Sequence, residues 1–355
     1  MNFYQANQSS LGRPLTLFSL ALLAAGTAAV LLSFPLGAAQ AVLPGFAAAW
    51  LFFAGLAAGS VALSAATRVA QGKFLDPALP SLNSAGAFLP IAFALLVPSF
   101  LLARFWAPEH SREGLAAVAV RDLVAFAVLS VSARRVLRRV GIARWTSGSM
   151  RDSVVYLLVF VVTVSLWTVD LVMNLYQGEP SGIVPAQAFV ASFVSAIAWA
   201  SLFSCWKLHA VRTRQDLGRM LFGFSAFWAY LVWCSFLPVW YANLPGETGE
   251  IILRTSGAWR FFSAGIVALS FVLPFLILFS ETAKRRKLPM TIAGGGVLLG
   301  LFAERALLVL RPLAQPSFGL PMIGGALAAL GMAGLFLLFA GSRLGADAVQ
   351  PAAPF

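Results

Sequence analysis

Residues 153–176 read SVVYLLVFVVTVSLWTVDLVMNLY and are the clearest indication of the class of fold. The run contains a single ionisable carboxylate, Asp170. A helix needs about 20 mostly apolar residues to cross the hydrocarbon layer of a bilayer. The run is therefore predicted to be a transmembrane helix that carries a carboxylate inside the membrane.

Similar apolar runs occur on both sides of this stretch, and the sequence predicts an all-α polytopic membrane protein with ten transmembrane helices. The first run has no small-residue cleavage site and is interpreted as a retained helix. We expect one integral-membrane domain over residues 1–345 and a frayed tail over residues 346–355. The predicted spans are 15–34, 45–67, 85–105, 115–133, 153–176, 182–206, 217–241, 257–279, 288–310 and 320–339.

The composition of the 355 residues agrees with a membrane protein and excludes several kinds of metal chemistry. Hydrophobic residues make up 60% and charged residues 11%, and the mean hydropathy is +0.85. Two Cys and two His are too few for an iron–sulfur cluster, a bis-histidine haem chain or a zinc site. We therefore expect no haem, iron–sulfur cluster or metal to be bound by this chain.

The net charge of +12 follows the membrane pattern and does not indicate nucleic-acid binding. Most of the 25 Lys and Arg residues lie on one side of the predicted spans, for example in 134–139 and 284–287. Because cytoplasmic loops are enriched in Lys and Arg, this distribution predicts that both termini are cytoplasmic. Lipids are the expected partners of these basic runs.

Five ionisable residues fall within predicted spans: Arg121, Asp122, Asp170, Glu304 and Arg305. Such groups are costly in a bilayer and are commonly functional. Each lies about six residues, or roughly 9 Å, from the outer end of its helix. We expect one charged layer, which would be either an ion-pair network that fixes helix register or a protonatable pocket near the outer surface.

Helix spacing also places further residues on common faces. Trp167, Asp170 and Asn174 follow i, i+3, i+7 spacing, which predicts one face that is either a wall for a ring-shaped ligand or ordinary bundle core. GxxxG pairs favour close packing of helix backbones, and two such pairs occur at Gly55/Gly59 and Gly296/Gly300.

Residues 240–248, WYANLPGET, follow the seventh predicted span. Trp240 and Tyr241 are typical of the aromatic belt at a membrane surface, and the Asn-Leu-Pro-Gly run cannot continue a helix. We expect Glu247 to begin an outer loop near the mouth of any pocket.

The longer stretch 216–248, DLGRMLFGFSAFWAYLVWCSFLPVWYANLPGET, resembles the NrfD-like family, also called the polysulfide-reductase membrane-subunit group. Within it, the closest resemblance is to the ActF-type quinone-binding subunits of bacterial alternative complex III. Arg121, Asp170 and the pair Glu304–Arg305 match charged positions of this family. The resemblance extends over about residues 115–312.

The resemblance implies a pair of four-helix bundles with flanking helices, in a multi-pass protein of the bacterial cytoplasmic membrane. The chain would be a subunit of a complex that oxidises menaquinol or ubiquinol. Its partners would be a sister NrfD-like subunit and periplasmic iron–sulfur and multihaem cytochrome c subunits. Asp170 and Glu304 would accept protons beside Arg121 and Arg305, and Tyr241 and Glu247 would line the outer mouth.

Two other interpretations remain open at the level of sequence. Ten helices with charges inside the membrane also suit a secondary transporter, which would have paired broken helices. In the first half of the sequence, Pro90 and Pro98 interrupt the third predicted span. A catalytically silent scaffold of the same complex would suit departures from the family pattern, which are Phe236, Ser270, Gly246 and Glu281.

Overall fold

The protein is described by a computed structural model that covers residues 3–106, 114–138, 147–175, 182–206, 211–242, 245–312 and 319–347. All regular structure in these ranges is helical. The tail expected from residue 346 lies outside the described residues beyond Asp347. The helices are α1 (Phe3–Ser33), α2 (Ala39–Val69), α3 (Leu79–Gly86), α4 (Leu89–Trp106), α5 (Leu115–Arg138), α6 (Ser147–Leu171), α7 (Ile183–Trp206), α8 (Val211–Ala242), α9 (Pro245–Thr255), α10 (Trp259–Val267), α11 (Leu273–Leu278), α12 (Glu281–Arg285), α13 (Lys287–Leu310) and α14 (Gly319–Asp347).

The ten predicted spans are confirmed in the described part of the chain, where ten stretches are long and apolar enough to cross a membrane. The eighth span is formed by α10 and α11, which are joined by a π-helical turn at Ala268–Val272. Pro274 follows this turn, and because proline has no backbone N–H it removes one hydrogen bond of the regular α-helical pattern.

Helix α2 lies at the centre of the molecule and packs against α4, α6, α7, α13 and α14. It is long, almost entirely apolar and rich in Ala and Gly, so neighbouring backbones can approach it closely. Gly55 and Gly59 face Ser192 of α7, and Gly300 of the second GxxxG pair faces Ser270 and Leu269. The sequence prediction that these glycines serve helix packing is confirmed.

Basic residues at helix ends join neighbouring helices. Arg68, in the last turn of α2, donates a hydrogen bond to the carbonyl of Val136 in α5 at 3.1 Å. Arg214, near the start of α8, donates to the carbonyl of Arg285 at 2.9 Å. These contacts bring the basic end of α2 to that of α5, and the basic start of α8 to α12.

A polar cluster fixes α12 against the same end of α8. The Glu281 carboxylate accepts hydrogen bonds from Lys284, Gln215 and Arg219, which lower its pKa to about 2. The Lys284 ammonium also lies over the Phe222 ring, 5.5 Å from its centroid. Since the usual pKa is 4.5, this contribution to stability is present above that pH and is lost as the pH falls towards 2.

Candidate functional site

The five charged residues predicted to form one layer fall into two separate clusters. Arg121 and Asp122 of α5 meet Asp170 of α6, whereas Glu304 and Arg305 lie together on α13. Among the described residues, no ion pair joins one cluster to the other. The single network expected from equal depth is therefore not formed, because α5 and α6 pack against each other and α13 packs against α7 and α2.

In the first cluster, Arg121 makes two hydrogen bonds to the Asp170 carboxylate, one of them from Nε to Oδ2 at 2.9 Å. The Asp170 side chain is buried, whereas half of the Arg121 side chain is exposed at the surface of the bundle. Asp122 is completely buried and interacts electrostatically with Asp170. Neither Asp122 oxygen makes a hydrogen bond of normal geometry to another described residue. The cluster thus holds two carboxylates and one guanidinium group.

Trp167 belongs to the packed core beside this cluster. Its ring is stacked on Phe126 with centroids 4.8 Å apart and contacts Trp50 at 5.3 Å. A gap of about 10 Å³ lies between Trp167 and Arg305, which is enough for one water molecule and too small for a ring. Asn174 lies in a 3₁₀ turn after the end of α6, where it is exposed and donates to the carbonyl of Asp170. Of the two interpretations of this face, the structure supports bundle core.

A much larger cavity of about 900 Å³ lies between α8, the α10–α11 segment and α13. Aromatic side chains form much of its wall. Its charged lining residues are Glu304 of α13, Arg254 of α9 and Arg260 of α10. The π-helical turn lies in this wall, and π turns are frequently found at functional sites. The aromatic lining residues are Trp228, Tyr230, Trp233, Phe236, Phe271 and Phe275.

Glu304 supplies the buried polar group of this cavity. Its Oε1 atom accepts hydrogen bonds from Gln187 Nε2 at 2.5 Å and from Trp228 Nε1 at 3.1 Å. Its Oε2 atom lies 3.9 Å from the guanidinium group of Arg305 and has no hydrogen-bond partner among the described residues. Arg305 instead donates to the carbonyl of Ala188 at 3.1 Å. One carboxylate oxygen is thus held by two hydrogen bonds, and the other is buried beside the Arg305 guanidinium group.

The cavity opens at the outer surface of the helix bundle. Tyr230 and Trp233 of α8 and Val267 of α10 line it and are also exposed. On the same side, Arg260 lies over the Phe261 ring, 4.6 Å from its centroid. The cavity is therefore accessible from the side of the helix bundle.

The two residues expected at the mouth are placed differently from the prediction. Tyr241 is 85% exposed near the end of α8 and is not among the described residues that line the cavity. Glu247 lies in α9 and not in a loop, because a new helix begins at Pro245, three positions after the end of α8 at Ala242. Proline is well accommodated at a first helical position. The side chain of Glu247 lies outside what the structure describes.

Sequence reasoning missed the residues that complete the Glu304 site. Gln187 is an uncharged polar residue within an apolar span. Its polar side chain in an apolar run was the one sequence signal that could have identified Gln187 as a site residue. Trp228 belongs to the quoted aromatic run, but its role as a donor depends on the contact between α8 and α13. Arg254 acts electrostatically on Glu304 from α9, a helix that the sequence did not predict.

Comparison with known proteins gives no assignment: no protein-family model matches the chain, and no curated protein matches it.

Proposed function

We propose that this chain is a cofactor-free membrane subunit of a respiratory complex that oxidises quinol, and that it binds the quinone in the cavity beside Glu304. The cavity carries this proposal. Its volume of about 900 Å³ is in the range of small-molecule sites, and its wall is mainly apolar and aromatic with a few convergent polar groups. The resemblance of residues 216–248 to NrfD-like subunits supports the same function.

The shape and chemistry of the cavity suit an isoprenoid quinone. Phe236 and Phe271 line the cavity as half-buried rings that can contact a ligand ring, and the lateral opening beside Tyr230 allows an apolar tail to extend into lipid. Glu304 and Gln187 supply the buried polar contacts that orient the head of the ligand. The quinone is the substrate, and electrons would leave the ligand to cofactors on partner subunits.

Orientation in the membrane is part of the same proposal. The basic residues Arg134, Arg135 and Arg138 lie in the last turns of α5, whereas Arg121 and Asp122 lie near its other end. By the positive-inside rule, the basic end of α5 faces the cytoplasm of a bacterial cell. Glu304 lies six residues from the end of α13, or about 9 Å below the periplasmic surface. Protons released at this depth have a short path to the periplasm.

Filling the cavity is expected to abolish quinone binding. Ala264 lines the cavity on the exposed side of α10, and an indole at this position would occupy the space needed by a ring. In Ala264→Trp we expect the affinity for a decyl-substituted benzoquinone to fall by about 100-fold or more, since most ring contacts would be lost. Equilibrium binding to the full chain in lipid nanodiscs measures this change.

Ala326→Trp is the matched control, because Ala326 is exposed on α14 and does not line the cavity. This variant should bind the benzoquinone with unchanged affinity. Equal affinities of Ala264→Trp, Ala326→Trp and the unmodified chain would contradict binding at this cavity.

A secondary transporter is the second candidate, favoured by one specific observation. The third span is divided between α3 and α4 at Ala87–Phe88, and the eighth span contains the π-helical turn, so deformed helices occur at equivalent places in the two halves. The sequence analysis identified only an interruption of the third span, at Pro90 and Pro98. Substrate-dependent uptake into liposomes reconstituted with the chain alone would select this function, and quinone binding without uptake would reject it.

A further inference from the structure

Asp122 of α5 is a completely buried carboxyl group that does not line the cavity. Neither of its oxygens makes a hydrogen bond of normal geometry to another described residue. Burial of an ionised carboxylate without hydrogen bonds costs far more free energy than burial of the neutral acid, and such a group takes up a proton instead. The burial of Asp122 therefore favours its protonated form.

The guanidinium group next to Asp122 in the sequence is already paired. Arg121 donates two hydrogen bonds to the Asp170 carboxylate, one of them from Nε to Oδ2 at 2.9 Å. Successive residues of a helix point in different directions, so that the Arg121 side chain is half exposed whereas Asp122 is completely buried. The charge of Arg121 thus compensates one carboxylate.

Asp122 and Asp170 also act on each other. Asp170 interacts electrostatically with Asp122, and this effect is larger than that of Arg121 on the same group. Because like charges at short range oppose ionisation of the second group, two neighbouring carboxyl groups commonly share one proton. The protonated member of such a pair has an O–H group to donate to the ionised member.

The helices that pack most against α5 are α6, α4, α2 and α3. The other charged side chains that the structure describes on these helices and on α5 lie towards the ends opposite to Asp122; they are Arg68, Arg134, Arg135, Arg138, Arg151 and Asp152. Within the described part of the chain, the surroundings of Asp122 thus contain two carboxyl groups and one guanidinium group. A net charge of zero in this cluster requires one proton.

We infer that Asp122 and Asp170 hold one proton between them and that, together with Arg121, they form a proton-binding site. The proton is taken up from water, and the half-exposed Arg121 places the site one side chain below the surface of the bundle. This inference is independent of the proposed quinone site, because none of the three residues is among those described as lining the cavity.

Infrared spectroscopy of the full chain in lipid nanodiscs at neutral pH tests this inference. The C=O stretching band of a protonated carboxyl group is separate from the bands of an ionised carboxylate. Subtraction of the Asp122→Asn spectrum from that of the unmodified chain should leave one protonated-carboxyl band. The absence of this band in the difference spectrum would show that Asp122 carries no proton and would overturn the inference.

A second variant tests whether the proton is shared. In Asp170→Asn, Asp122 is the remaining carboxyl group beside Arg121, and it should therefore ionise, so that the same band is lost. The double variant Asp122→Asn/Asp170→Asn should lose no more than either single variant. Persistence of the band in Asp170→Asn would assign the proton to Asp122 alone, and loss of two bands in the double variant would show two protons. Either result would contradict a shared proton.

Asp216→Asn is the matched control, because Asp216 pairs with Arg219 at 3.3 Å near the start of α8 and should contribute no protonated-carboxyl band. Labelling the unmodified chain with [4-¹³C]aspartate gives an assignment that needs no substitution. The label should shift the band of the Asp122–Asp170 pair and leave that of any protonated glutamate, including Glu304, in place. A chain without a label-sensitive band of a protonated carboxyl group would overturn the inference even if the variants did not fold. None of these spectra requires a quinone, so the two proposals fail separately.

Discussion

Replacing Arg121 by leucine is expected to lower the free energy of unfolding by roughly 3–5 kcal/mol. The Asp170 carboxylate is 1% exposed and depends on Arg121 for two hydrogen bonds and a compensating charge. The neighbouring Asp122 adds a second buried carboxylate to the same place. Without the guanidinium group, both would lie unpaired in a medium that solvates charge poorly. Thermal unfolding of the detergent-purified protein, followed by size-exclusion chromatography, measures the loss.

Arg135→Leu is the control for this experiment, since Arg135 is an exposed arginine at the other end of the same helix. Its thermal stability should change little. The double variant Arg121→Leu/Asp170→Leu removes both members of the ion pair and should recover much of the loss, because an apolar pair costs less than an unpaired buried charge. Equal stability of Arg121→Leu and Arg135→Leu would show that the ion pair does not support the fold.

The result also bears on the role of Asp170. Sequence reasoning left open whether this carboxylate accepts protons or fixes helix register. The contact with Arg121 ties α5 to α6 and commits both Asp170 oxygens. A large loss of stability in Arg121→Leu would therefore favour the register-fixing role for this cluster, and Glu304 would remain the candidate proton acceptor.

Replacing Gly59 by valine is expected to prevent correct packing of α2 and to lower the free energy of unfolding by about 3 kcal/mol or more. A Cβ atom at this position would overlap the carbonyl of Ser192 and approach the backbone nitrogen of Phe193 at 3.1 Å. Backbone atoms of a packed helix cannot move aside as a flexible side chain can. The helices α2 and α7 would have to separate, and α2 contacts most of the bundle.

The yield of monodisperse protein and the midpoint of thermal unfolding measure this effect. Gly223→Val is the matched control, because Gly223 is an exposed helical glycine of α8 and a Cβ atom there would meet no other atom within 4 Å. The control carries the same change in helix propensity without the collision. If the two variants were equally stable, close contact between α2 and α7 would not be required for the fold.

The sequence predicted the helices more completely than it predicted their partners. Hydropathy alone identified all ten spans, because the length of an apolar run is a local property. Counting residues also predicted that Asp170 and Glu304 lie at the same depth in the membrane. Such counts do not show which helices are neighbours. The sequence analysis therefore placed all five charged residues in one layer, whereas the structure separates them into two clusters.

The candidate site shows the same limit. Glu304 was predicted as functional because a carboxylate within a span is unusual. Its donors are 117 and 76 positions away in the sequence, on α7 and α8, so that no local pattern connects them to it. Trp167 was placed correctly on the face of Asp170, but its stacking on Phe126 leaves no room for a ring. Periodicity identifies a face and does not reveal whether that face is filled.

Purification of the tagged full chain from its native membranes in mild detergent tests membership in a respiratory complex most directly. The co-purifying polypeptides, the haem spectrum and the rate of quinol oxidation should be recorded on the same sample. We expect partner subunits with c-type haem and iron–sulfur clusters, together with quinol oxidation that is lost in Ala264→Trp and kept in Ala326→Trp. A well-folded chain that purifies alone, without haem and without quinol oxidation, would contradict the proposed function.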